Sequence, residues 1–117
     1  MKEDFFEKER LLIFRITEEI DECQAKKIRR KADYEIERFM PKEVIFDFNR
    51  VIFMDSSGIG MIIGRYKQVS MIGGKMEIAN LSPSVKKILE MSGVLKIIPE
   101  VNLSERDNET EKEEKII

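Results

Sequence analysis

The chain has 117 residues, 42% of them apolar and 38% charged, the balance of one globular domain with a heavily solvated surface and not of a disordered chain. The net charge of −2, with Lys and Arg interleaved among Asp and Glu, argues against the basic face that nucleic-acid binding requires. Histidine is absent and Cys23 is the only cysteine. That removes the commonest general base and metal ligand, any internal disulfide and any Cys-x-x-Cys site, leaving an enzyme only carboxylates and Lys to work with.

No apolar run is long enough to span a membrane, and Met1-Lys2-Glu3-Asp4 opens with charges of both signs, so neither a membrane segment nor a signal peptide is predicted and the expected location is the cytoplasm. Residues 3–7 and 10–17 read as two strands around the charged turn Glu7-Lys8-Glu9-Arg10. In the second, Leu12, Phe14 and Ile16 alternate with Leu11, Ile13 and Arg15, as in a strand buried largely on both faces. Asp21 stands at an N-cap position before a helix whose apolar stripe is Ala25, Ile28, Ala32, Ile36 and Phe39, with its end marked by Pro41.

Val44 to Phe48 is a predicted central strand, broken by Asn49-Arg50. The apolar run Val51-Ile52-Phe53-Met54 then leads into Asp55-Ser56-Ser57-Gly58. A second helix carries Ile59, Ile62, Ile63, Tyr66 and Val69 at core spacing and ends near Gly73-Gly74. Lys75 to Ala79 is the next strand. Ser82-Pro83 opens a third helix with Val85, Ile88 and Leu89 inward, Gly93 ends it, and Leu95 to Ile98 is expected to be a last strand. The order β-β-α-β-α-β-α-β implies an α/β fold. Residues 1–103 are expected to form a single domain. The charged stretch 104–117 has no apolar stripe to dock and is expected to be a flexible tail or a frayed helix.

Met54-Asp55-Ser56-Ser57-Gly58-Ile59-Gly60 is the most informative segment. Asp55 and the serines can cap the first helical turn without any further role. The same start, with two hydroxyls and two glycines, also suits a phosphoryl group, because a helix N-terminus favours an anion. Two other readings compete. Gly58-x-Gly60-x-x-x-Gly64, with Glu77 nineteen residues after Gly58, imitates a dinucleotide fingerprint, but the preceding strand ends too early, at Phe48. Asp47 and Asp55 could form part of a magnesium site, although Asp47 can equally end its strand at the surface. Asp21 is most simply a cap; as an exposed acid it could also meet an Arg on a partner.

Residues 43–98 resemble the STAS domain of bacterial anti-sigma factor antagonists. The resemblance is carried by Phe53-Met54-Asp55-Ser56-Ser57-Gly58-Ile59-Gly60, Gly64-Arg65-Tyr66-Lys67-Gln68, Gly73-Gly74, Ser82-Pro83-Ser84-Val85-Lys86-Lys87 and Met91-Ser92-Gly93. Asp-Ser-Ser with Gly-Arg-Tyr-Lys is similar to the sporulation branch, whose members antagonise the anti-sigma-F factor; the general-stress antagonists more often show Asp-Ser-Thr. The resemblance implies a STAS fold, with a single four- to five-stranded mixed sheet and three or four packed helices. It also implies a regulator with no catalytic residue, cofactor or metal of its own. The unphosphorylated form would bind a dimeric, nucleotide-bound anti-sigma factor that is also a serine kinase, so freeing the sigma factor. Phosphorylation of Ser56 would end that binding, and a serine phosphatase would restore it. Asp21, Asp55, Ser57, Gly58, Ile59 and Gly60 are the implied partner-binding residues. Nucleic acid and membrane are not among the implied partners. The chain departs from the family in its tail, which lacks the amphipathic pattern of the usual closing helix. The alternatives are a general-stress antagonist or a small nucleotide-binding α/β domain.

Overall fold

The computed structural model describes residues 1–103, so the expectation for the charged tail falls outside it. Strand β1 (Lys2–Phe6) turns back through Glu7–Arg10 to pair antiparallel with β2 (Leu11–Arg15). Arg10 adopts a left-handed conformation, φ 55°, to close that turn. From β2 the sheet runs parallel through β3 (Glu43–Asp47), β4 (Lys75–Ala79) and β5 (Glu100–Val101), giving the spatial order β1-β2-β3-β4-β5.

The connecting helices are α1 (Glu22–Phe39), α2 (Ser56–Met71) and α3 (Pro83–Met91). Every crossover steps in the same direction along the sheet, so a constant, right-handed connection places all three helices on one face. The core agrees: Ala25, Ile28 and Ile36 of α1, Met61, Ile62 and Val69 of α2, and Val85 and Leu89 of α3 all join Leu12, Phe14, Val44, Phe46 and Ile78 in one buried cluster. The opposite face of the strands carries a smaller cluster of Phe6, Leu11, Ile13, Ile45, Ala79 and Leu103. Side chains two apart on a strand share a face, which accounts for the double burial of β2 read from its alternation.

The strand expected at Leu95–Ile98 is not one. Gly93, at φ 82°, ends α3 and begins a 3-10 turn over Val94–Lys96. Val94 and Ile98 are buried while Ile97 is exposed, a spacing of one helical turn and not of a strand. The ladder starts only at Pro99, whose carbonyl accepts from the Ile78 amide, and β5 follows it.

Because β2 to β4 are parallel, the helices that follow them all begin at the same edge of the sheet, the carboxyl ends of the strands. The start of α1 and the start of α2 therefore meet there.

A candidate partner-recognition site at two helix starts

Asp55 and Asp21 are both N-caps, and each takes a different donor. The Asp21 carboxylate accepts from the Gln24 amide at 2.8 Å. The Asp55 carboxylate accepts from the Ser57 amide at 2.8 Å and also from the Ser57 hydroxyl. That second bond separates the two serines. Ser57 is half-buried with its hydroxyl held by Asp55, whereas Ser56 is exposed and its hydroxyl has no hydrogen bond among the described residues. Ser56 is also the first residue of α2, where the free N–H groups of the first turn favour negative charge.

The two caps are joined through the backbone. Ile20 and Met54 form an isolated parallel bridge just ahead of them, with the Ile20 amide donating to the Phe53 carbonyl and the Asp55 amide to the Ile20 carbonyl. Ile20 and Met54 are both buried, which seals the bridge from water. Gly58 is buried directly above it: an added Cβ would overlap the Met54 side chain and lie 3.3 Å from Ile20 Cγ2. Ile59 is half-buried against the main core and Gly60 is exposed. Ser57 and Gly60 line a shallow cleft of about 220 Å³ between α1 and α2, with Glu22, Lys26 and Arg29 on its α1 side.

An ion pair between a buried arginine and a partly exposed aspartate ties the two helices together further down. Arg65 on α2 reaches Asp33 on α1 at 2.8 Å, with the arginine side chain nine-tenths buried. Burial pushes its guanidinium below the ordinary arginine range, against the opposing pull of Asp33; Arg29 adds a smaller lowering.

The competing chemistries do not assemble. Gly58, Gly60 and Gly64 all lie inside α2 and not on a strand-to-helix turn, so they form no loop to cradle a pyrophosphate. Asp47 is not at the surface as a strand-end acid would be. It is buried, and it accepts from Arg15 at 3.1 Å and from the Asn49 amide and the Asn80 side chain at 2.9 Å each. Among the described residues no three acidic, Cys or His side chains are grouped so as to hold a metal. No helix there is long and apolar enough to cross a membrane.

Residues 4–108 match the STAS domain family. The chain belongs to that family. This STAS domain is 37% identical to an anti-sigma F factor antagonist of Paenibacillus polymyxa over 89 residues, 76% of either chain. It is 29% identical to the anti-sigma F factor antagonist of Lysinibacillus sphaericus over 83 residues, 71% of either chain. Among solved structures it is similar to the anti-sigma factor antagonist SpoIIAA in its unphosphorylated form (27% identity, TM-score 0.75, covering 89% of this chain and 90% of that one). It is also similar to the phosphorylated form of the Bacillus cell fate determinant SpoIIAA (26% identity, TM-score 0.67, 87% and 92%).

Two exposed apolar residues of this STAS domain lie beside the candidate site and carry no sign of it in the sequence. In the run Val51-Ile52-Phe53-Met54, Val51 and Met54 are buried, but Ile52 is 70% and Phe53 50% exposed. The loop is not loose. The Phe53 carbonyl accepts from Ile20, the Ile52 carbonyl from the Ser84 hydroxyl at 3.1 Å, and the Val51 amide donates to Phe48. Two large apolar side chains are thereby held in water immediately before the caps. No local signal marks the pair, because a run of four apolar residues does not say which of them the distant Ile20 strand pairing buries.

Proposed function

We propose that this STAS domain is an anti-anti-sigma factor of the sporulation type. In its unphosphorylated form it binds an anti-sigma factor that is also a serine kinase, and so releases the sigma factor. Phosphorylation of Ser56 by that kinase ends the binding, and a serine phosphatase reverses it. The observation that carries this reading is the contrast at the start of α2: Ser56 presents a free, exposed hydroxyl, while Ser57 is held by Asp55. The names of the relatives and the wide coverage of the alignments support the class of partner. Both forms of SpoIIAA are similar in fold to this chain, which supports a switch that acts through local charge and shape and not by refolding.

On this reading the contact surface centres on Asp21, Asp55, Ser56, Ile59 and Gly60, with Ser57 facing the adjoining cleft. Gly58 serves from beneath, by admitting the Ile20–Met54 bridge to the helix. The unit works in the cytoplasm as one module over residues 1–103. It needs no cofactor or metal, because the phosphoryl chemistry belongs to the kinase and the phosphatase. The test is incubation with the cognate kinase and ATP, followed by phosphopeptide mapping and binding of each form to the anti-sigma factor. Modification at Ser56 with loss of binding is expected; equal affinity of the two forms would refute the switch.

A further inference from the structure

A second concavity lies at the same edge of the sheet, on the side away from the helices. Its volume is about 430 Å³, and Lys2, Arg15, Thr17, Asp47, Asn49 and Arg50 line it. Side-chain alternation sets the side: Arg15 shares the face of Leu11 and Ile13, Asp47 that of Ile45, and Lys2 that of Phe6, all members of the second cluster. The volume falls among small-molecule clefts, roughly 300–1,000 Å³. It lies outside the carboxyl ends of β2 and β3, beside the start of β1.

The charge in this crevice is unbalanced. Asp47 is its only acid, and both carboxylate oxygens are engaged, one by Arg15 and the other by the Asn49 amide and Asn80. Arg15 is held in turn by Asp4 at 3.0 Å. The nearby Glu18 is occupied by the N-terminal amine and the Thr17 hydroxyl. Lys2 and Arg50, by contrast, have no ion-pair partner among the described residues. Arg50 also sits on an ordered turn, fixed by the Asn49 amide on Asp47 and the Val51 amide on Phe48.

We propose that this crevice binds a small, multiply charged oxyanion between Lys2 and Arg50. An arginine fork can take two oxygens of one anionic group, a lysine ammonium can neutralise a second charge, and the Asn49 carboxamide adds neutral donors. The site is separate from the Ser56 surface and does not depend on the function proposed for it.

The test is a titration of the full chain followed through its backbone amides by NMR, with ionic strength held constant by chloride. One arm uses inorganic pyrophosphate and the other citrate. Saturable shifts confined to residues 2–3, 15–17 and 47–51 support the site; pyrophosphate alone assigns a phosphoryl ligand, citrate alone a polycarboxylate, and both a general oxyanion site. The Lys2→Gln, Arg50→Gln double variant changes two exposed side chains. It should keep the wild-type melting temperature and bind about tenfold or more weakly. Shifts that grow linearly without saturating, or that persist unchanged in the double variant, overturn the proposal.

Discussion

The Asp55 amide donates to the Ile20 carbonyl at 3.0 Å, so a backbone bond ties the residue before one N-cap to the other N-cap itself. Asp21 follows Ile20 directly and opens α1, while Asp55 opens α2. Two acids far apart in the chain thereby share one edge of the molecule, with Ser56 beside them. Each is bound to its own helix, so the spacing between them is set by main chain and not by flexible side chains.

Asp21→Ala should separate folding from recognition. Loss of the bond to the Gln24 amide costs about 1 kcal/mol of stability. Loss of an acid paired with a desolvated partner Arg costs roughly 2–5 kcal/mol of affinity. Thermal melting beside calorimetric titration with the anti-sigma factor measures both. Unchanged affinity would reduce Asp21 to a cap.

Phosphorylation of Ser56 adds about −1.5 to −2 charges at neutral pH, which the start of α2 accommodates, so the isolated domain should change little in shape. A partner surface fitted to a hydroxyl must then desolvate a dianion beside Asp55, and a penalty of about 3 kcal/mol would weaken binding more than a hundredfold. Ser56→Ala is expected to bind persistently and Ser56→Asp poorly. Ser57→Ala should still accept phosphate, because the hydroxyl it loses is the one Asp55 holds. Phosphopeptide mapping that found the label on Ser57 alone would reverse the assignment.

Phe53→Ser tests the exposed apolar pair. The side chain is half in water, so its removal should leave the unfolding free energy within about 1 kcal/mol of wild type. If the partner covers it, affinity falls by more than about 1 kcal/mol, with the larger loss if Phe53 is an anchor. Binding kinetics should show the change mainly in the dissociation rate. An unaltered rate would place Ile52 and Phe53 outside the contact.

Gly58→Ala and Gly60→Ala form a matched pair within α2. At Gly58 the methyl group overlaps the buried Met54 side chain; overpacking costs about 1–3 kcal/mol, partly offset by about 1 kcal/mol of helix propensity. At Gly60 the space is open, so only the propensity gain of about 1 kcal/mol remains. Denaturant unfolding should therefore show Gly58→Ala destabilised and Gly60→Ala stabilised. A Gly60→Ala variant that is more stable yet binds more weakly would place Gly60 at the partner surface.

Elements governed by neighbours in the chain were legible from the residues alone. The Asp21, Asp55 and Ser82 caps, Pro83 at the start of α3, the apolar stripe of α1 and the double burial of β2 all depend on interactions within a few residues. On α2, by contrast, the buried face is turned toward Met61, with Ile59, Ile63 and Tyr66 only partly buried. The Asp-Ser-Ser segment was legible for the same reason, since a cap and its helix are contiguous.

What depended on distant partners was not legible. The last strand shifted from Leu95–Ile98 to Glu100–Val101 because β4, and not local propensity, selects which residues continue the ladder. Asp47 looked like a strand-end acid until Arg15 and Asn80 closed on it. Arg65 carries no sign in its own neighbourhood of being buried against Asp33. The outward turn of Ile52 and Phe53 follows from the Ile20–Met54 bridge, a pairing across the whole of α1 and β3. Periodicity reports which side of an element is apolar. Only the packed sheet decides which polar groups that packing traps and which apolar ones it leaves in water.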